Sequence, residues 1–126
     1  MLIRSHPRMD ERLITVVETR PFQQRVIGRL SDAERLAFIA YIAAHPEAGD
    51  IVPATGGVRK VRWGVDSRGK RSGVHVMYYY HNEEMPIFLL DVFAKNEKDD
   101  ITPAEKKVMR QLIPLLVTEY RGRRRQ

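Results

Sequence analysis

The sequence predicts an α+β domain: a small antiparallel sheet with N-terminal helices before it and a C-terminal helix after it, all packed on the sheet. Three observations predict it. Two helix-start boxes, Ser31-Asp32-Ala33-Glu34 and Thr102-Pro103-Ala104-Glu105, each open a stretch with apolar residues at helical spacing. Between them lie three β-prone runs, Val58–Trp63, Val74–Tyr80 and Ile87–Ala94. The first two read as a hairpin and a turn at His81–Pro86 leads to the third, so the runs pair antiparallel. At 126 residues, 43% of them hydrophobic, the chain suits a single domain spanning 1–126 with a core of its own.

Residues 1–12, with Pro7 and mixed charges, read as a loose leader. Leu13–Thr19 is β-branched and reads as the first strand, ended by Pro21. Phe22–Leu30 follows as a short helix with Phe22, Val26 and Leu30 in line. Ser31 caps the next helix, Asp32–Ala44, whose buried line is Leu36, Ile39, Ala40 and Ala43, widened by Phe38, Tyr41 and Ile42. His45-Pro46 stops it. Glu47–Thr55 reads as a connecting loop, and Gly56-Gly57 admits a sharp entry into the next strand.

That strand carries the most informative pattern. Side chains alternate, so Lys60 and Arg62 share one face while Val61 and Trp63 share the other. If Val61 and Trp63 go inward, the two cations stand together outside. The link to the partner strand adds Arg68, Lys70 and Arg71, and His75 and Tyr79 share parity on that partner. Ile87–Ala94 is almost continuously apolar, as expected of a strand covered on both faces, with Asp91 the exception. Lys95–Asp100 is a polar exit loop. The final helix aligns Val108, Leu112 and Leu115 beside Met109, Ile113 and Leu116, and Pro114 is expected to kink or divide it. Residues 121–126 form a basic tail.

Composition removes several chemistries. Without cysteine there is no disulfide, no Cys-ligated zinc and no thiol nucleophile, which suits a reducing cytoplasm. No apolar run reaches membrane-helix length and no signal-peptide core is present, so a cytoplasmic protein without membrane contact is expected. Phosphate-cradling and dinucleotide glycine motifs are absent, as is a nucleophile elbow. His75 and His81 would lie about 20 Å apart on an extended strand, too far to share a metal. Asp99-Asp100 fits the dipole of the following helix better than a cation site. Neither metal nor cofactor is expected.

What remains is cationic. The net charge of +6 favours an acidic partner, and it is concentrated in the hairpin and the tail. Lys60, Arg62, His75 and Lys95 converge beyond one sheet face if the strands pair in order. Such a cluster would stabilise a phosphodiester as its transition state gains negative charge. If the substrate is RNA, its own 2′-hydroxyl can attack the adjacent phosphate.

Five segments resemble the RelE/HigB toxins of type II toxin–antitoxin systems, in particular a HigB-like branch with an elongated basic hairpin. They are LSDAER (Leu30–Arg35), HPEAGDIV (His45–Val52), TGGVRKVRW (Thr55–Trp63), GKRSGVHVMYYY (Gly69–Tyr80) and VFAKNEKDDITPAEKK (Val92–Lys107). The resemblance implies a RelE-like fold and ribosome-dependent mRNA endoribonuclease activity that inhibits translation. Implied partners are the ribosome, mRNA and a cognate antitoxin of helix-turn-helix type. Lys60 and Arg62 match the family's paired basic strand positions, and Lys95 matches one after the last long strand. His75 stands where the family usually has arginine, and no downstream catalytic tyrosine is evident.

These residues also have plainer readings. Lys60 and Arg62 without the resemblance are a solvated strand face. His75 reads equally as a satisfied sheet histidine and as a catalytic one. Trp63 and Tyr78 belong to the core by parity, and Glu97 reads as an ion-pair partner. Arg59, Arg68, Lys70, Arg71, Tyr79 and Lys98 are candidates for gripping RNA, the arginines and lysines through phosphates and Tyr79 by stacking. The competing functional reading is a non-catalytic RelE-fold module that binds RNA or an acidic protein. A DNA-binding regulator fits less well, because no helix-turn-helix is apparent.

Overall fold

The computed structural model describes residues 2–5, 14–64, 73–98 and 100–124. In chain order the elements are β1 (Leu2–Ser5), β2 (Thr15–Glu18), α1 (Arg20–Arg25), α2 (Asp32–Ala44), β3 (Asp50–Ile51), β4 (Arg59–Gly64), β5 (Gly73–Tyr79), β6 (Ile87–Ala94) and α3 (Pro103–Arg124). The strands form one sheet in the order β1-β2-β6-β5-β4-β3. The α+β architecture is the expected one.

Every residue of β6 is buried, as its apolar run predicts. β5 pairs with it antiparallel on one side. On the other side β2 pairs parallel, with Val16 opposite Ile87, so the sheet is mixed rather than wholly antiparallel. Everything from α1 to β5 lies between these two strands in sequence, ample length for a parallel return.

Local pattern and structure part at the sheet edges. Leu2–Ser5, within the expected loose leader, pairs antiparallel with β2, and Ile3 lies opposite Val17. Asp50–Ile51, within the expected loop, pairs with Lys60 and Arg59. Neither piece has the length or alternation that marks a strand locally; each is ordered by the neighbour it hydrogen-bonds.

The sheet is covered on both faces. Phe22 of α1 and Phe38 and Ile42 of α2 pack over Val16, Val76, Tyr78 and Leu89. Met109, Ile113 and Val117 of α3 pack over Val58, Met77, Tyr79 and Phe88 on the opposite face. Strand alternation divides the two cores. A register shift places Met77 opposite Asp91 but Tyr78 opposite Leu89, which makes Leu90 an extra residue in β6.

Both helix starts carry the expected reciprocal caps. The Ser31 hydroxyl accepts from the Glu34 N–H at 3.1 Å and the Glu34 carboxylate accepts from the Ser31 N–H at 2.8 Å. Thr102 and Glu105 repeat this at 3.2 and 2.8 Å. Pro21 sits in the first turn of α1, where its missing N–H costs no helical bond, so that helix begins earlier and ends sooner than the apolar spacing suggests. α3 runs through Pro114 undivided. Pro114 is exposed, so the carbonyl deprived of its donor can turn to water. Buried Glu18 receives Arg35 Nε at 2.6 Å, tying β2 to α2.

Candidate nucleic-acid interface

The entry into β4 sets the geometry of the basic face. Buried Thr55 donates its hydroxyl to the Val52 carbonyl at 2.7 Å and accepts from the Val58 N–H at 3.0 Å. Gly56 and Gly57 turn the chain at φ of 81° and 108°, a region that disfavours other residues. A Cβ on Gly57 would also stand 3.3 Å from the Tyr79 ring.

From there the register places Lys60 opposite Met77, Val61 opposite Val76 and Arg62 opposite His75. Trp63 turns toward α2, with its ring 5.4 Å from Phe38 and 5.2 Å from Tyr41. Lys60 and Arg62 therefore project on the α3 side of the sheet. α3 begins only at Pro103 and leaves Arg62 exposed at this end.

Neighbouring elements bring further groups to the same place. His75 stands edge-on to Phe93 at 5.4 Å and 85°. Lys98 Nζ lies 4.9 Å over the Phe93 ring and bonds Glu105 at 2.6 Å. Asp100 Oδ1 approaches Lys60 Nζ to 3.3 Å and also accepts from the Ile101 N–H at 2.8 Å. Lys95 begins the turn after β6, and its N–H reaches the Gly73 carbonyl at 3.4 Å.

That turn is clamped. Arg29 bonds both oxygens of Glu97, at 2.7 and 2.5 Å, and Glu97 accepts from the Ala94 N–H at 2.8 Å. Glu97 is thus an ion-pair partner, as its sequence context suggests.

Electrostatics follow from this crowding. Burial, then the positive charges of Lys60 and Arg62, hold His75 below its usual 6.5; Lys95 adds to them and Asp100 opposes. His75 Nδ1 is buried with no hydrogen-bond partner. The imidazole is therefore neutral at pH 7. Burial raises Asp100, but the Ile101 N–H and Lys60 outweigh it and leave the carboxyl below its ordinary range.

The remaining candidates lie elsewhere. Arg59 projects to the other face and donates to the Gly49 and Glu47 carbonyls at 2.7 and 3.3 Å, a fastener for the preceding loop rather than a group on the basic face. Tyr79 is only 8% exposed, within the core under α3, and has no open ring face for a base. Its hydroxyl lies 2.8 Å from His81 Nδ1, while Arg121 reaches His81 Nε2 at 3.2 Å. A guanidinium only donates, so in this arrangement Nε2 accepts and Nδ1–H donates to Tyr79. Arg68, Lys70 and Arg71 lie outside the described residues. Tyr78 is fully buried, as its parity predicts. Among the described residues no three His, Asp or Glu side chains gather as metal ligands, and no helix is long and apolar enough to cross a membrane.

Asp100 and Phe93 are the members of this face that sequence reasoning misses. Asp100 looks locally like an acid serving the next helix, and Phe93 looks like core; only strand pairing brings them to Lys60 and His75.

A family model described as the RelE toxin of the RelE/RelB toxin–antitoxin system matches residues 19–120. The match takes in α1, α2, β3 to β6, α3 as far as Tyr120 and every described residue of the basic face. Toxins of this family are generally mRNA-cleaving endoribonucleases, and each implies an antitoxin partner. With most of its length matched, the chain belongs to the RelE family of toxins from toxin–antitoxin systems.

Proposed function

We propose that this chain is a ribosome-dependent mRNA endoribonuclease of the HigB-like branch, cleaving without a metal ion and arresting translation. The observation that supports it most is the position of His75, set directly across from Arg62 and within the field of Lys60 and Lys95, where burial and those cations favour the neutral imidazole. A neutral imidazole is a competent base, and the cations suit a phosphate that gains charge.

His75 takes the proton of the RNA 2′-hydroxyl. The 2′-oxygen bonds to the adjacent phosphorus, the bond to the 5′-oxygen breaks, and that oxygen takes a proton from water. A 2′,3′-cyclic phosphate and a 5′-hydroxyl result. Arg62 and Lys60 bind the phosphate, and Lys95 and Lys98 add positive field. A cognate antitoxin of helix-turn-helix type, acting in the cytoplasm, neutralises the toxin.

The test is induction of the chain in growing cells alongside mRNA cleavage with purified ribosomes. Arrest and cleavage are expected, and both are lost in Lys60→Ala/Arg62→Ala with the thermal transition retained. Cleavage unchanged by that double substitution would sink these roles. Two carboxylates already pair with cations here, Asp100 with Lys60 and Glu105 with Lys98, and this favours a second reading in which the face binds without cutting. Ribosomes that bind the protein while their mRNA stays intact would select it.

A further inference from the structure

Asp100 is brought to Lys60 by the turn between β6 and α3, far from it in sequence. Its Oδ1 holds the Ile101 N–H at 2.8 Å and meets Lys60 Nζ at 3.3 Å. The carboxylate side chain is half exposed, so solvent and ligand both reach it. A partly exposed pair of this kind stabilises a fold little, because water competes for both charges. Its position is more informative than its strength. It places a negative group where Lys60, Arg62 and Lys95 would otherwise attract a phosphate, and Lys106 also lies within its field.

We propose that Asp100 is a specificity-determining residue of the basic face, an internal anion that occupies Lys60 until an RNA phosphate displaces it. This rests on the reading of that face as an RNA site. Binding of free RNA is dominated by phosphate contacts that release counterions. A carboxylate held against Lys60 removes one such contact from any loosely bound strand. An RNA positioned by additional contacts brings its phosphate across Arg62 and Lys60 together and repays the displacement. Asp100 thereby weakens binding of any strand whose phosphate must displace it, and only RNA held by additional contacts stays bound.

The experiment compares the parent, Asp100→Asn, Lys60→Gln and the double variant by fluorescence anisotropy with a short 2′-O-methyl RNA, which cannot be cleaved, across a salt series. Asparagine keeps an Oδ1 acceptor for the Ile101 N–H, so the start of α3 is retained. Asp100→Asn is expected to bind roughly fivefold tighter at low salt. Its log–log salt dependence should steepen by about 0.7, the value of one added phosphate contact on a single strand. In the Lys60→Gln background the same change should have a much smaller effect. Equal affinity and slope in the parent and Asp100→Asn would overturn the proposal, and so would an equal gain with Lys60 absent. Absence of binding by all four proteins would instead overturn the RNA-site reading, and this inference with it.

Discussion

Arg62 and His75 lie opposite each other in the β4–β5 pair, and the imidazole carries a buried Nδ1 that no hydrogen bond satisfies. Burial comes first and the adjacent cations second in holding this ring below 6.5. Cleavage that uses the neutral ring should be flat near pH 7 and fall only as pH drops through a pKa depressed below 6.5. His75→Gln should remove that acid limb and slow cleavage by about 10²-fold or more. Single-turnover rates against pH check both expectations.

The same shift is a stability statement. A folded state that binds this proton less tightly than the unfolded chain loses stability as pH falls from 6.5 toward the depressed value. Above that window the contribution is fully present. Urea unfolding at stepped pH should show the decline in the parent and a shallower one in His75→Gln.

Arg29 holds the turn that presents Lys95 and Lys98 by gripping both oxygens of Glu97. Arg29→Ala should cost no more than about 1 kcal/mol in unfolding, because the pair is partly exposed. Cleavage should nevertheless drop several-fold, because the turn loses its clamp. An unchanged rate would show that the turn keeps its position without the Arg29 clamp.

Arg35 faces the fully buried carboxylate of Glu18. Arg35→Ala should destabilise by about 1–3 kcal/mol, since it removes a charged hydrogen-bond donor from a buried carboxylate. Chemical denaturation gives the value. Glu18→Gln combined with Arg35→Met should recover much of it.

Tyr78 donates its hydroxyl to the Pro46 carbonyl and accepts from the Gly49 N–H, both at 2.8 Å. Tyr78→Phe leaves two polar groups of that loop without their partner and should cost about 1–3 kcal/mol. The loop leads into β3, which pairs with Lys60, so protection of the Lys60 amide in hydrogen exchange should fall as well.

How much was legible follows the range of each interaction. Local spacing was enough for α2 from Asp32 to Ala44, β6 from Ile87 to Ala94 and both capping boxes, because those depend on residues two to four apart. The same alternation separated Lys60 and Arg62 from Val61 and Trp63. Tertiary structure alone decided that α3 covers the face opposite α1 and α2, that β2 runs parallel to β6, and that Leu2–Ser5 joins the sheet. It also placed Arg59 on the other face, buried Tyr79 in the core and set Asp100 against Lys60. These are pairings between distant segments, selected by burial and by backbone hydrogen bonds that must find partners. Local periodicity carries no record of them.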